Sequence, residues 1–402
     1  MNSPVQVSPS PRLRTRELLV AGTVFTALTV IFTYPLSLDA GRVVLGDNPD
    51  THLFIWTFGW IAEILVRAPL GLFDANIFYP LGRALAFSEN LIGSGLIAAP
   101  VIWATGNPVL AMNLVSLLSV PLCGLGAYLL ARTLGLGIAA SFICGIVFAF
   151  SPTRFSQLGQ LHLTTVQWIP FALAHVHAYL DRGRPHDARM AAAFFTVQTL
   201  TSGHGAVFLV VAMSGLFAFR VVTGTPLALA RRARDLGAVG VMLLAPALLV
   251  ALPYQIVQRE LGLRRTLDNW TVPAICFAYS PARVHQAILA LFVPLEDVAA
   301  VASAYLFPGI LPIVLSAAAL ALPWRRRAWL PTRVADHSLF YGLLALVSIL
   351  LTVGPPLGLW PLVYWLPGFN FIRVPSRFWI LATLALAVLS AIGCERLRDR
   401  LG

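Results

Sequence analysis

Charged residues are scarce in this sequence. They make up only 11% of its 402 residues, whereas 58% are hydrophobic. A soluble domain carries roughly 25% charged residues, so the composition excludes an ordinary water-soluble protein. Lysine is absent, so all 28 basic residues are arginines. Of only four cysteines, Cys123, Cys144 and Cys394 fall in apolar stretches, and no disulfide framework is implied.

Long apolar runs are abundant instead. Runs of about 18 residues or more recur along the chain, and each is long enough to cross a bilayer as a helix. We therefore expect an all-α polytopic membrane protein with about ten transmembrane helices. The expected spans lie near 18–38, 109–131, 136–151, 165–181, 188–202, 204–222, 235–255, 301–322, 336–353 and 376–395.

The arginines predict the orientation of these spans. Most of them cluster in short loops between apolar runs, which is the positive-inside pattern of cytoplasmic loops. The clusters are Arg12/Arg14/Arg16, Arg182/Arg184/Arg189, Arg231/Arg232/Arg234, Arg325/Arg326/Arg327/Arg333 and Arg396/Arg398/Arg400. With both termini cytoplasmic, the inside segments hold 18 arginines and 7 acidic residues, and the outside segments hold ten of each. The net charge of +11 therefore reflects topology beside a lipid bilayer, and no nucleic-acid partner is expected.

The topology divides the chain into three parts. They are a cytoplasmic tail (1–16), a core (17–222) with a long outer loop (39–108), and a C-terminal transmembrane region (223–402) with outer loops 256–300 and 354–376. No convincing cleavage site follows the first apolar run, which predicts an uncleaved signal-anchor.

Three further stretches are apolar but interrupted. In the first outer loop, 50–67 and 90–106 must both cross the membrane or both stay outside, because a single crossing would turn the later basic loops outward. Glycine, proline or charge breaks each of them, so we expect two interfacial helices. The stretch 272–293 is ambiguous for the same reason, and we expect it to be interfacial too.

The first outer loop opens with GDNPDTHLFIW, which places Asp47 and Asp50 at the start of a helix. The structural interpretation is a helix start, with Asp47 as the N-cap, Pro49 in the first turn and Asp50 favourable to the helix dipole. The functional alternative is a carboxylate fixed at the membrane–water boundary as a catalytic base or metal ligand. The sequence leaves both interpretations open.

The same loop continues with LFDANIFYPLGRALAFSEN, a dense mixture of aromatic and charged residues. We expect Asp74, Tyr79, Arg83 and Glu89 in this stretch to contact a substrate. So many aromatic and charged side chains are unusual for a loop that only connects two spans.

The loop resembles the GT-C fold of membrane glycosyltransferases. DANIFYPLGR (74–83) is most similar to the first luminal loop of the oligosaccharyltransferase catalytic subunit, and the similarity covers roughly the first 220 residues. It continues through GLGAYLLARTLG (124–135), FAFSPTRF (148–155) and TSGHGAVF (201–208). FIRVPSRF (371–378) instead resembles bacterial YfhO-like membrane proteins, which are often grouped with GT-C enzymes.

The resemblance implies an enzyme that takes a sugar from a polyprenyl-phosphate or polyprenyl-diphosphate carrier. The acceptor would be a saccharide, a lipid or a protein on the outer face of the bacterial cytoplasmic (inner) membrane. A first-loop aspartate would be the base or metal ligand; Asp50 matches that position, with Asp47 second. A divalent metal, Mg²⁺ or Mn²⁺, would be the cofactor, with Asp50 and His162 as its candidate ligands.

The sequence departs from that family in the second outer loop, 152–164. Oligosaccharyltransferases carry an acidic pair there, whereas this chain has His162 near the first position and Thr164 near the second. The large soluble domain that reads an acceptor sequon is also missing, so protein N-glycosylation is not expected.

Two histidines and an arginine at span ends have both structural and functional interpretations. His162 is either an interfacial polar residue or a ligand or general acid–base, and the same choice applies to His204 as a substrate contact. Arg154 either snorkels to lipid headgroups or approaches a phosphate.

Arg373 and Arg377 are the best candidates for binding the carrier phosphate. They lie on the predicted outer side, where the positive-inside rule gives no reason for them, and guanidinium binds phosphate bidentately. The aromatic stretch before them suits a polyprenyl tail. The alternative is that both arginines snorkel to headgroups.

Two other functions compete with sugar transfer. A transporter or flippase of a lipid-linked saccharide would need no catalytic carboxylate, and ion-driven transporters usually carry ionisable residues inside spans, which are rare here. A non-catalytic cell-envelope assembly protein would make the acidic turn dispensable.

Overall fold

The computed structural model describes residues 15–46, 48–224, 226–262, 272–292, 305–322, 333–353, 358–366, 369 and 372–401. Within these ranges the chain is helical and forms no strand; its one β-type contact is a single bridge between Val272 and Val353. The helices are α1 (Thr15–Phe32), α2 (Leu36–Asp39), α3 (Pro49–Arg67), α4 (Ile92–Thr105), α5 (Pro108–Thr133), α6 (Ile138–Ala149), α7 (Pro152–Phe155), α8 (Leu161–Thr164), α9 (Trp168–Arg182), α10 (Pro185–Thr201), α11 (Gly203–Thr223), α12 (Pro226–Glu260), α13 (Arg283–Leu289), α14 (Ile310–Ala321), α15 (Arg333–Thr352), α16 (Trp360–Val363) and α17 (Trp379–Leu401). Short 3₁₀ turns occur at Pro69–Gly71, Ala84–Phe87, Ala274–Ala278 and Pro375–Phe378.

Four helical stretches in the described ranges are long and apolar enough to cross a membrane. They are Thr15–Phe32, Pro108–Thr133, Gly203–Thr223 and Pro375–Leu401. Four shorter apolar helices accompany them, at Ile92–Thr105, Ile138–Ala149, Ile310–Ala321 and His337–Thr352. The prediction of an all-helical chain of membrane-spanning type is therefore confirmed. Each of the ten expected spans overlaps a helix, but the number that cross stays a prediction.

The three interrupted apolar stretches form helices of different lengths. Residues 50–67 and 90–106 form α3 and α4, and neither is among the four long apolar stretches. At 1.5 Å per residue, the 14 residues of α4 fall short of a bilayer core of about 30 Å. The part of 272–293 that the structure describes forms only a 3₁₀ turn and the seven-residue α13, so it does not cross as one helix.

Small residues bring the central helices together. A Cβ added at Gly124 of α5 would lie 2.8 Å from the Phe25 ring of α1, and one added at Gly145 of α6 would lie 2.2 Å from the same ring. Glycine is therefore required at both positions for α1 to pack in the groove between α5 and α6. Close backbone approach through small residues is the usual way helices associate in membranes.

Hydrogen bonds fix α1 at its N-terminal end. Glu17 accepts from the Tyr128 hydroxyl at 2.6 Å and from Arg132 Nε at 2.7 Å, both on α5. All three side chains are half-buried or buried, which a carboxylate and a guanidinium tolerate only as partners. These contacts tie the first helix to the body that carries the site.

Candidate active site

One cavity of about 1320 Å³ lies where the predicted outer ends of the helices meet. Its wall combines the turn before α3, the segment after the 3₁₀ turn Ala84–Phe87, the α7–α8 connection, the start of α11, the end of α12 and the residues before α17. Six predicted site residues line it: Asp50, Glu89, His162, His204, Arg373 and Arg377. Residues from more than six separate segments of the chain thus share one space.

Asp50 enters the cavity wall from the first turn of α3. The N-cap of this helix is Asn48, whose side-chain oxygen accepts from the Thr51 amide at 3.0 Å, and Pro49 occupies the first turn as expected. The prediction of Asp47 as the N-cap is therefore wrong, and Asp47 itself lies outside the described residues. Asp50 is half-buried, and its carboxylate has no hydrogen-bond partner among the described residues. Asp50 lies in the first turn of α3, where the structural interpretation expects a negative charge that is favourable to the helix dipole.

A close approach holds the α7–α8 connection against α3. The Thr51 hydroxyl donates to the Gly159 carbonyl at 3.2 Å, and a Cβ at Gly159 would lie 2.2 Å from the Leu45 carbonyl oxygen. Only glycine fits at this position. The contact places His162, three residues later in the chain, beside the start of α3.

His162 is buried in the cavity wall, with 5% of its surface exposed. Its ring packs against Phe54, with ring centroids 5.4 Å apart, and against His204, 5.6 Å apart. Its Nδ1 is buried without a hydrogen-bond partner among the described residues. Burial, together with nearby Arg377 and His204, holds the pKa of His162 well below its usual 6.5, although Glu89 opposes this. The imidazole is therefore neutral at neutral pH.

Glu89 and His204 form a buried pair on the same wall. His204 Nδ1 hydrogen-bonds Glu89 Oε1, and the Gly203 amide donates to the other carboxylate oxygen at 2.9 Å. Burial alone raises the pKa of Glu89, but the imidazole of His204, with smaller contributions from His162 and the Gly203 amide, outweighs it and brings the pKa from 4.5 to about 2. Glu89 is therefore an anion at neutral pH, already bound by protein donors.

The two C-terminal arginines are set by the 3₁₀ turn Pro375–Phe378. Pro375 begins this turn, and the buried Phe378 ends it by stacking on Phe369 with ring centroids 6.0 Å apart. Arg373 is exposed and Arg377 half-buried, and both line the cavity. Arg377 Nη1 lies 2.5 Å from Nε2 of His204.

Three residues expected to bind substrate do not line the cavity. The Asp74 carboxylate accepts a hydrogen bond from the Arg83 amide at 3.0 Å, which holds the two ends of the loop 74–83 together. The Arg83 side chain pairs with Glu260 at 3.3 Å, and Tyr79 is 97% exposed. The loop 74–83 is therefore held by internal contacts and by the end of α12, while only the apolar Phe78 and Leu81 of this loop reach the cavity wall.

Arg154 serves neither of its two expected roles. It is 3% exposed, and its guanidinium donates to the Thr164 carbonyl at 2.8 Å, the Ala149 carbonyl at 2.8 Å and the Ser119 hydroxyl at 2.9 Å. It therefore fastens α5, α6 and α8 together beneath the cavity, and neither lipid headgroups nor a phosphate reach it.

Sequence reasoning missed the contribution of α12. Tyr254 lines the cavity and donates to the Ser88 carbonyl at 2.8 Å, next to Glu89. It lies inside a stretch predicted as a uniform apolar span, so no local signal distinguishes it from a lipid-facing aromatic residue. Trp379 was missed for the same reason, as the first residue of α17.

The described residues do not bring three carboxylate, imidazole or thiol groups together in a way that would hold a metal ion. The Mg²⁺ or Mn²⁺ expected at Asp50 and His162 therefore has no complete protein site within the described ranges. No protein-family model matches the sequence, and no curated protein matches it either.

Proposed function

We propose that this protein is a membrane glycosyltransferase with a GT-C-like fold. It transfers a sugar from a polyprenyl-phosphate or polyprenyl-diphosphate carrier to an acceptor on the outer face of the bacterial cytoplasmic membrane. The observation that carries the proposal is the wall shared by Asp50 and the two arginines. A proton acceptor and two phosphate-binding groups in one space are the parts that such a transfer needs.

The two carboxylates that line the cavity, Glu89 and Asp50, have different surroundings and therefore different roles. Glu89 is engaged by His204 and Gly203, whereas the Asp50 carboxylate accepts no hydrogen bond from the described residues. Asp50 is therefore the base that takes the proton from the acceptor hydroxyl. The deprotonated oxygen forms a bond to the anomeric carbon as the bond from that carbon to the phosphate oxygen breaks.

The leaving phosphate takes the electron pair of the broken bond. Arg373 and Arg377 stabilise the charge that develops on it, because guanidinium groups stay protonated and donate two parallel hydrogen bonds to phosphate oxygens. The prenyl chain then stays in the membrane next to the apolar residues that flank these arginines. His162, which is neutral and buried against Phe54 of the same helix as Asp50, accepts a hydrogen bond from the sugar or the acceptor.

The size of the cavity supports two substrates. Pockets for one small molecule span about 300–1,000 Å³, and this cavity holds about 1320 Å³. A donor head group and an acceptor fit together in that volume, as a direct transfer requires.

The test uses Asp50→Asn in proteoliposomes supplied with radiolabelled polyprenyl-phosphate sugars. Loss of a general base lowers turnover by about 10²–10⁴-fold, and asparagine keeps the size of the side chain. Asp39→Asn, an exposed aspartate of the same loop, is the matched control and should keep full activity.

Two results would overturn the proposal. One is full transfer activity in Asp50→Asn. The other is movement of the intact labelled carrier between leaflets with no cleavage of its sugar–phosphate bond, which would make the protein a flippase.

A further inference from the structure

Three buried side chains of the cavity wall carry a polar atom that has no hydrogen-bond partner within the described ranges. These atoms are the hydroxyl of Thr153, Nδ1 of His162 and the indole N–H of Trp379. The three residues are 7%, 5% and 3% exposed. A buried polar group without a partner costs free energy, so a folded protein keeps one chiefly where a ligand, an ion or a water molecule completes it.

Trp379 differs in this respect from other tryptophans of the chain. Trp60 and Trp103 each donate their indole N–H to a main-chain carbonyl, at 2.8 Å and 2.9 Å. Trp379 lies at the predicted outer boundary, where tryptophans commonly form a belt that contacts lipid headgroups. It is buried instead, and its ring packs against Phe277 with ring centroids 5.2 Å apart. Its N–H therefore belongs to a ring that is fixed in the cavity wall.

Thr153 is an exception among the buried threonines. The others in the described ranges donate to a main-chain carbonyl, and all but Thr51 donate to the residue four positions earlier. Because α7 begins at Pro152, no helical turn precedes Thr153 to supply that acceptor. The carbonyl four positions earlier, that of Ala149, accepts from Arg154 at 2.8 Å. The Thr153 hydroxyl is thus left over by the local fold.

The chemistry of these two groups indicates the ligand that completes them. Both are electrically neutral; a hydroxyl donates and accepts, whereas an indole N–H only donates. A ligand hydroxyl matches either group, because it too donates and accepts. A phosphate is matched better by guanidinium groups, which bring charge as well as donors. Neutral polar groups in a largely apolar wall therefore suit a sugar ring, which carries hydroxyls around an apolar face.

We infer that Thr153 and Trp379 bind hydroxyl groups of a sugar ring in the cavity and form a sugar subsite with His162. The inference rests on the proposed function, which brings a sugar into the cavity as part of the donor or of a saccharide acceptor. A site that hydrogen-bonds a ligand hydroxyl rejects an analogue that lacks it. Thr153 and Trp379 consequently also help to select the sugar.

The test compares ligands with and without a sugar by equilibrium binding to the purified full-length protein in detergent. One ligand is radiolabelled farnesyl phosphate, and the others are the same lipid phosphate carrying glucose, mannose, galactose or arabinose. Trp379→Phe removes the N–H, and Thr153→Val removes the hydroxyl at nearly constant volume. Each variant should bind the sugar-bearing lipid that wild type prefers about tenfold more weakly. Each should bind farnesyl phosphate as wild type does.

The control for Trp379→Phe is the same change at a tryptophan away from the cavity. Trp168 also has an indole N–H without a partner within the described ranges, but it does not line the cavity. Trp168→Phe should therefore bind every ligand as wild type does. Equal losses from the two tryptophan variants would assign the effect to packing and overturn the role of Trp379.

The Thr153 variants keep the test decisive if Trp379→Phe fails to fold. Thr153→Ser keeps the hydroxyl and should restore binding. Thr153→Val deletes a buried group without a partner, so the ligand-free variant should melt at the temperature of wild type or above it. Thr57→Val, the control, deletes a bond of 2.8 Å to the Leu53 carbonyl and should melt lower but bind normally. A lower melting temperature for Thr153→Val with unchanged binding would make Thr153 structural.

Methyl glycosides of the same sugars, added with saturating farnesyl phosphate, identify the source of the ring. Losses confined to the sugar-bearing lipids assign the subsite to the donor, and losses confined to the methyl glycosides assign it to the acceptor; both support the inference. Unchanged binding of all sugar ligands by Thr153→Val and Trp379→Phe overturns it, as does an equal loss for farnesyl phosphate itself.

The outcomes separate this inference from the proposed function. Normal sugar binding by both variants, beside an inactive Asp50→Asn, overturns the subsite and leaves the transferase standing. Binding of methyl glycosides but of no lipid phosphate overturns the proposed donor, and the variants then still decide on the subsite. If wild type binds none of these ligands, both ideas fail.

Discussion

Two four-residue segments of this chain are almost identical in sequence and have opposite environments. Pro152–Phe155 reads PTRF and forms α7, and Pro375–Phe378 reads PSRF and forms a 3₁₀ turn. The arginine of the first, Arg154, is buried and donates to two main-chain carbonyls and a hydroxyl. The arginine of the second, Arg377, lines the cavity and contacts the imidazole of His204.

The difference arises from what surrounds each segment. The last carbonyl groups of α6 and α8 both accept hydrogen bonds from the Arg154 guanidinium. Its role there is structural. Arg377 contacts the His204 imidazole and lines the cavity. A cation that is buried among main-chain carbonyls stabilises the fold, whereas one that lines a cavity wall lies within reach of a ligand.

Replacing each arginine by methionine should separate these roles most strongly. Arg154→Met leaves two carbonyls and a hydroxyl without a donor, at about 1–3 kcal/mol for each buried group, so the free energy of unfolding should fall by about 3 kcal/mol or more. Arg377→Met should lose much less stability but should lose phosphate binding. Thermal unfolding in detergent measures both, and equal stability losses would contradict the comparison.

The Glu89–His204 pair predicts a second large effect, on the pH dependence of stability. The pKa of Glu89 is lowered from 4.5 to about 2, so the anion stabilises the folded state above pH 4.5, and this contribution is lost as the pH falls toward 2. At 1.36 kcal/mol per pH unit, the contribution is about 3 kcal/mol.

The measurement for Glu89 is the melting temperature in detergent between pH 7 and pH 2. Wild type should exceed Glu89→Gln in stability at neutral pH, and the gap should close between pH 4.5 and 2. Glu63→Gln, an exposed glutamate paired with Arg67 on α3, should follow wild type throughout. A gap that stays constant over this range would argue against a buried Glu89 anion.

The helices were largely predictable from the sequence, because apolar runs of helical length have few other solutions in a membrane. The residue at which a helix begins was harder to predict. Asp47, Asn48 and Asp50 all belong to the residue types that cap helices well, and the choice of Asn48 depends on how the chain enters α3 from the preceding turn. The same limit applied to 272–292, whose composition does not distinguish a broken segment from a span.

The site was predictable residue by residue but not as an arrangement. Unusual charges at span ends pointed to Asp50, His162 and Arg377, yet the same reasoning also selected Asp74, Tyr79 and Arg83, which lie outside the cavity wall. The Glu89–His204 and His204–Arg377 contacts, which bring these residues to one wall, join residues that are 115 and 173 positions apart in the chain. Such pairings depend on how the helices pack, which no local pattern in one sequence encodes.

A more conservative substitution, arginine to lysine, tests whether the arginines at the cavity wall need their guanidinium group. Arg373→Lys and Arg377→Lys keep a positive charge but lose the forked pair of donors. At least one of them should weaken donor binding by about 1–3 kcal/mol, the range for hydrogen bonds to charged groups. Arg67→Lys, on the exposed end of α3, should bind the donor normally. Unchanged apparent donor affinity in both cavity variants would show that any cation suffices there, as in snorkelling to headgroups.

The smallest expected effect concerns His162, which tests whether a buried group without a partner serves a ligand. Its ring packs against Phe54 and His204, its Nδ1 has no hydrogen-bond partner among the described residues, and its lowered pKa keeps it neutral at neutral pH. A neutral imidazole accepts or donates one hydrogen bond to a reacting group, so His162→Ala should lower turnover at least tenfold, or by about 1.4 kcal/mol in the transition state. His162→Phe fills the same space without a polar atom and should lose as much activity, whereas a purely structural role predicts that phenylalanine restores it. Turnover per folded molecule of the two variants, with His186→Ala as the control, therefore assigns His162 either to the chemistry or to the packing of the cavity wall.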